Sequence, residues 1–175
     1  LLTNPVAIRK AIESQGMSLI RGMENLLADL AAGEIRMTRP EDFAVGVNLA
    51  TTPGKVVLRN RLLELIHYAP TSAQVHRVPL LIVTPWINKF YILDLTPKKS
   101  LVKYLLDQGF DVYVTSWKNP DASMADVGFD DYLRDGIAAA LEAVRSISKC
   151  EKVNVAGYCI GGTLLAIYLA WANRR

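Results

Sequence analysis

The chain has 175 residues, 51% of them hydrophobic and 21% charged, with a formal net charge of +3. Such a balance describes a globular chain able to bury one core, and it excludes a low-complexity or strongly charged disordered segment. The densest basic cluster, Lys98-Lys99 with Lys103, reads as a solvated helix face, so no nucleic-acid partner is expected, and no apolar run reaches the roughly 18 residues of a membrane span.

Met17, Ile20, Met23, Leu27 and Leu30 recur at helical spacing, with Arg21, Glu24, Asn25 and Asp29 off that stripe and Gly33 placed to stop the helix. The stripe is expected to pack on the main body or on a partner helix rather than to bind a cofactor. Residues 34–54, with Pro40, Gly46, Pro53 and Gly54, read as irregular, with at most a short helix near 41–49. Residues 1–54 are thus expected to form a helical and irregular N-terminal segment, and 55–175 part of a catalytic domain. Residues 56–58 and 62–68 read as two strands joined by a tight turn at Arg59-Asn60-Arg61, an antiparallel hairpin.

From Val78 the pattern changes. Residues 79–83 are a continuous apolar run, as in a strand buried on both faces of a parallel sheet. Residues 97–108 are expected to be helical with Gly109 as the cap, and 112–115 to be a strand. A turn at Asn119-Pro120-Asp121 precedes a helix over 129–147, capped by Asp130, and 153–156 form a further strand. Strand, helix, strand, helix, strand predicts an α/β unit with right-handed crossovers.

That last strand runs into Gly157-Tyr158-Cys159-Ile160-Gly161-Gly162 and then an apolar helical run through Trp171. G-x-C-x-G at a strand-to-helix turn is the pattern of a nucleophile elbow, with sulfur in place of the usual serine hydroxyl. Gly157, Gly161 and Gly162 suit it because strand and helix pass so close that a Cβ would clash, while the turn itself is strained. Cys159 is then held clear of both backbones at a helix N-terminus, where the dipole favours negative charge. A lone cysteine in an apolar stretch is more often a small core residue; the glycine spacing is what sets this one apart. Cys150 and Cys159 together make neither a disulfide framework nor a zinc pattern, and they suit a reducing compartment; no metal is expected.

Counting the hairpin as strands one and two puts the elbow after the fifth strand and residues 84–88 after the third, where an α/β-hydrolase carries an oxyanion donor. The backbone N–H of Ile160 and those of Trp86 and Ile87 are therefore the candidate oxyanion hole. The fold class expected is an incomplete α/β-hydrolase fold, mainly a parallel sheet, behind a helical N-terminal segment. In that fold the order is nucleophile, acid, histidine, yet no His, Asp or Glu follows Cys159. His67 and His76 precede the elbow and read as structural residues rather than as the base; Asp94, Asp121, Asp126, Asp130 and Asp131 also come too early. The acid and base are expected beyond Arg175, and both ends of the chain read as cut.

Three stretches in order carry a resemblance: Pro85-Trp86-Ile87-Asn88-Lys89-Phe90-Tyr91-Ile92-Leu93-Asp94-Leu95, Ser116-Trp117-Lys118-Asn119-Pro120-Asp121-Ala122-Ser123, and the elbow itself. Together they resemble the polyhydroxyalkanoate synthases, bacterial enzymes that polymerise (R)-3-hydroxyacyl-CoA into storage polyester, from about Phe43 to the C-terminus. Phe129-Asp130-Asp131-Tyr132 is closer to the class I branch, which favours 3-hydroxybutyryl-CoA, whereas Thr84 departs from the second proline that many members carry. The resemblance implies Cys159 as the nucleophile, an acyl-enzyme that carries the growing polyester chain, and a downstream histidine that activates first the thiol and then the incoming hydroxyl. It implies no cofactor, since CoA is part of the substrate and the leaving group, and a cytoplasmic homodimer at the polymer granule surface. Sulfur suits that reaction, because transfer to Cys159 exchanges one thioester for another and the acyl group stays activated. Lys89 and Lys118 are candidates for holding CoA phosphates, or simply solvated charges. Two rivals remain: a cysteine-dependent hydrolase of esters or lactones, as in the similar G-x-C-x-G turn of dienelactone hydrolases, and a non-catalytic dimerisation or granule-association module using the 17–30 stripe.

Overall fold

The computed structural model describes residues 3–174. They form two compact units, one reaching to Phe43 and one starting at Ala44. In the first unit, α1 (Pro5–Glu13) is fixed at its start by a cap and carries Ile8 and Ile12 one turn apart. Asn4 Oδ1 accepts the N–H groups of Val6 and Ala7 at 3.0 and 3.2 Å, and Pro5 opens the helix where its missing N–H costs nothing. After a turn through Gln15 and Gly16, α2 (Met17–Ala32) runs to Gly33, which closes it at φ 71°. Neither helix buries a residue, and the stripe of Met17, Ile20, Met23, Leu27 and Leu30 is exposed. The short helix expected near 41–49 is only a 3-10 turn at Pro40–Asp42, because Ala44 to Leu49 fold into a tight turn closed by Gly46 N–H on Leu49 O at 2.7 Å.

The second unit begins ahead of residue 55. Ala50 N–H donates to Asp94 O at 3.0 Å, and Thr52 Oγ1 donates to the buried Asp94 carboxylate at 2.6 Å, so the 44–54 stretch is bonded to the sheet domain. Its five-stranded sheet contains β1 (Gly54–Arg59), β2 (Leu63–Tyr68), β3 (Leu80–Val83), β4 (Val112–Trp117) and β5 (Asn154–Gly157) in the order β1-β2-β4-β3-β5. The hairpin β1–β2 is antiparallel, as is β2–β4, whereas β3 runs parallel to both β4 and β5. Asn60 sets the hairpin turn by accepting the N–H groups of Leu62 and Leu63 at 2.9 and 3.0 Å.

Burial on both faces follows from the period of two. Leu81, Val83, Tyr113 and Trp117 point to one face with Leu133, Ile137 and Leu164, while Ile82, Val112 and Val114 meet Val102 and Leu106 on the other. The helix expected over 97–108 is shorter. Asp94–Thr96 and Lys99–Ser100 pair as a small hairpin, and α3 (Leu101–Asp107) starts only after Ser100, whose Oγ caps it by accepting Lys103 N–H at 2.8 Å. The helix expected over 129–147 is interrupted. It opens as α4 (Phe129–Asp131), widens into a π-helical stretch (Tyr132–Ala138) and resumes as α5 (Ala139–Ser148). Its first turn is closed by Asp131, not Asp130: Asp131 Oδ2 reaches back three residues to accept Gly128 N–H at 2.8 Å. The last helix, α6 (Ile160–Ala172), leaves directly from the elbow.

Candidate active site

Cys159 stands between β5 and α6 with φ 56° and ψ −130°, a backbone region that residues with a Cβ rarely occupy. It is exposed, whereas Cys150 is buried. The glycines around it are required by contact. A Cβ on Gly157 would fall on Gly162 Cα and lie 2.9 Å from Gly161 O; a Cβ on Gly161 would fall on Val83 O and lie 2.9 Å from Thr84 O. A Cβ on Gly162 would lie 3.2 Å from Gly157 O. Tyr158 N–H continues the β5–β3 ladder by donating to Val83 O at 3.0 Å, so the turn is seated against the end of β3. Gly161 N–H and Gly162 N–H close back onto Tyr158 O and Cys159 O at 3.0 and 2.9 Å. Ile160 is the first residue of α6, so its N–H is one of those an α-helix leaves without an intrahelical acceptor.

The loop after β3 leaves the sheet beside the elbow, since Val83 pairs with Gly157. Its root is rigid. Thr84 is fully buried, gives its N–H to Thr115 Oγ1 at 3.0 Å and its hydroxyl to Thr115 O at 2.6 Å, and receives the Trp117 indole N–H on its carbonyl at 2.7 Å. A proline at this position would have no N–H to give. Trp86 is half-buried against Phe129, Tyr132 and Trp117, with ring centroids 6.4, 5.2 and 6.4 Å away, and Ile87 beyond it is exposed. The N–H groups of Trp86, Ile87 and Ile160 therefore belong to segments at the same end of the sheet as Cys159. Thr84 and Thr115 were not among the candidates drawn from the sequence, because nothing in their spacing signals a contact across two parallel strands.

The histidines lie elsewhere. His67 is on β2, three strand spacings or roughly 14 Å from β5. Its ring stacks on Tyr113 at 4.2 Å and its Nε2 meets Asp111 Oδ1 at 2.6 Å. Burial first, and the Asp111 charge second, hold the Tyr113 phenol well above its ordinary acidity range. His76 sits before β3, with its N–H on Gly109 O at 2.8 Å and its Nε2 3.1 Å from Gln108 O, at the entry end of β4 rather than at its exit. Both candidate phosphate cations are engaged: Lys89 Nζ donates to Asn119 Oδ1 at 2.8 Å, and Lys118 Nζ pairs with Asp121 Oδ2 at 3.0 Å. Hydrogen bonds from the Ser123 hydroxyl, Lys118 and the Ser123 amide lower the Asp121 carboxyl to about 2. Among the described residues no His, Cys, Asp and Glu side chains cluster in a way that could hold a metal.

The family model for the poly-beta-hydroxybutyrate polymerase (PhaC) N-terminus matches residues 1–105, and the alpha/beta hydrolase fold matches residues 79–175. The poly(3-hydroxyalkanoate) polymerase of Methylorubrum extorquens is 48% identical over 100% of this chain and 30% of its own length. The poly(3-hydroxyalkanoate) polymerase subunit PhaC of Cupriavidus necator is 48% identical over 97% of this chain and 29% of its own. The corresponding subunit of Haloferax mediterranei is 40% identical over 71% of this chain and 25% of its own. The chain thus spans under a third of the length of these relatives. The two family matches overlap across β3 and the loop behind it, and the elbow falls within the hydrolase portion. This chain belongs to the poly-beta-hydroxybutyrate polymerase (PhaC) N-terminus family and carries, incomplete, the alpha/beta hydrolase fold.

Proposed function

We propose that the chain supplies the nucleophile half of a polyhydroxyalkanoate synthase, an acyltransferase that polymerises (R)-3-hydroxyacyl-CoA, with 3-hydroxybutyryl-CoA as the preferred substrate. The observation that carries this reading is Cys159 itself: exposed, at positive φ, on a turn that glycines allow to nest against β3. In the proposed cycle Cys159 Sγ adds to the thioester carbonyl carbon, the oxygen takes the negative charge, and the carbon–sulfur bond to CoA breaks as the carbonyl reforms. The acyl group remains a thioester on Cys159 until the 3-hydroxyl of the next unit attacks it. Ile160 N–H, with an N–H of Trp86 or Ile87, is the oxyanion hole, and the acid and base come from residues outside this chain.

The names of the relatives support the reaction class, and the fit of Thr84 to Thr115 and Trp117 supports a preformed oxyanion loop. The exposed 17–30 stripe is the proposed surface for homodimer formation and for contact with the polymer granule in the cytoplasm. No described helix is long and apolar enough to cross a membrane. The test is substitution of Cys159 in a polymerase of the relatives' length that carries this segment. Cys159→Ala should abolish CoA release from 3-hydroxybutyryl-CoA, and Cys159→Ser should lower it by at least about a hundredfold. Polymer formation by the alanine variant would refute the assignment.

A further inference from the structure

We infer that Trp117 is a positioning residue for the oxyanion loop, acting through the Thr84 carbonyl, and that the π-helical stretch Tyr132–Ala138 provides its seat. The inference rests on the reading of Cys159 as an acyl-accepting nucleophile. β3 ends at Val83, so the sheet ladder no longer orients the peptide that follows. That peptide joins Thr84 to Pro85 and has no N–H, which leaves its carbonyl as the only backbone group able to fix the plane. Trp117, at the end of β4, donates its indole N–H to this carbonyl at 2.7 Å in buried surroundings. The two Thr115 bonds hold the N–H and hydroxyl of Thr84, so the root of the loop is fixed on both sides of one residue. The same carbonyl faces the elbow: it is 2.9 Å from where a Gly161 Cβ would stand. Indole, Thr84 and the elbow glycine are therefore in sequence, and the next peptide planes are those carrying the Trp86 and Ile87 N–H groups.

An indole at the end of β4 needs space under the helix that crosses it. Gly136 supplies it: a Cβ there would stand 2.8 Å from Trp117 Cη2 and 3.0 Å from Cζ3. Gly136 lies within the π-helical stretch, whose i→i+5 hydrogen bonding widens the helix beside the ring. On the far side Tyr132, from the same stretch, packs against both Trp117 and Trp86, at 5.3 and 5.2 Å between ring centroids. The loop is thus held at its root by the indole N–H and at its first exposed turn by the rings.

Two reactions at the same sulfur separate positioning from plain packing. Iodoacetamide alkylates Sγ by displacement at a saturated carbon and develops no oxyanion. With 4-nitrophenyl butyrate, Sγ adds to the carbonyl, the oxygen carries the charge, and the bond to 4-nitrophenolate breaks. Both rates at Cys159 are read by mass spectrometry on this chain at pH 9. Removing a whole oxyanion donor costs on the order of 100- to 1,000-fold, and loosening its support should cost less. Trp117→Phe, which keeps the ring and loses the N–H, should lower acylation about tenfold and leave alkylation within about twofold. Replacing Trp117 by β-(3-benzothienyl)alanine, which exchanges only the ring N–H for sulfur, should act in the same direction, and this isostere decides the matter if Trp117→Phe does not fold. Unchanged acylation, or acylation and alkylation falling together, overturns the positioning role. A parent chain whose Cys159 is alkylated by iodoacetamide yet acylated no faster than a free cysteine overturns the oxyanion reading beneath it.

Discussion

Cys159 and Cys150 share a chain and differ in their access to solvent. Cys159 is exposed at the N-terminus of α6, and Cys150 is 9% exposed before β5. Brief iodoacetamide treatment near neutral pH should label Cys159 at least about ten times faster; preferential labelling of Cys150 in the folded chain would sink the nucleophile assignment. Around Cys159 the glycines leave no slack. Gly161→Val places a Cβ on Val83 O, a backbone atom that can move only by parting β3 from the elbow. The expected cost is about 3 kcal/mol or more, which for a chain of this size lowers Tm by roughly 6–12 °C. Parent-like thermal unfolding of that variant would show that the close approach is not real.

At the scale of elements, the turn after β4 is held electrostatically. Ser123 and Lys118 bind the Asp121 carboxylate, whose folded value is lowered to about 2 from an ordinary value near 4. A lowered carboxyl contributes stability above its unfolded value and loses it as pH falls toward the folded one. The Ser123 amide resonance should therefore hold its position from neutral pH to about pH 3 and shift only near 2; a midpoint near 4 would mean that the turn is open in solution. The π-helical stretch makes a second prediction. Gly136→Ala should destabilise by about 1–3 kcal/mol, because the methyl meets the Trp117 ring at 2.8 Å inside a packed face. Chemical denaturation should show the loss as a lowered midpoint with an unchanged slope.

For the whole molecule, the decisive feature is where its histidines are not. His67 is committed to Asp111 and Tyr113 and His76 to the far end of β4, so neither reaches the elbow. With neither histidine at the elbow, the 175-residue chain should release no CoA above background from 3-hydroxybutyryl-CoA, since loss of triad members costs acyl-transfer enzymes several orders of magnitude. β5 pairs only with β3 among the described strands, and its residues Asn154, Ala156 and Gly157 are exposed. With that open edge and the exposed stripe on α2, the chain should elute from size exclusion as dimers or larger species. A monodisperse monomer that turns over the substrate would contradict both expectations.

Much of this was legible in the order of residues, and the reason is locality. Strand alternation, the Asn60 turn, the Gly33 stop and the glycines of the elbow are written within a few positions of where they act, and the hydrolase fold follows from them. Helix α1 is too short for its one-turn pair, Ile8 and Ile12, to stand out in the spacing, and the helix expected over 97–108 is shortened because Asp94 and Ser100 draw residues 94–100 into a hairpin first. What only the tertiary structure decided are contacts between segments far apart in the chain. Trp117 on Thr84, Gly136 under Trp117, Thr52 on Asp94 and the remoteness of His67 from Cys159 depend on strand order and register. Residue spacing along a chain has no access to those, because the β1-β2-β4-β3-β5 order places neighbours that the sequence keeps apart.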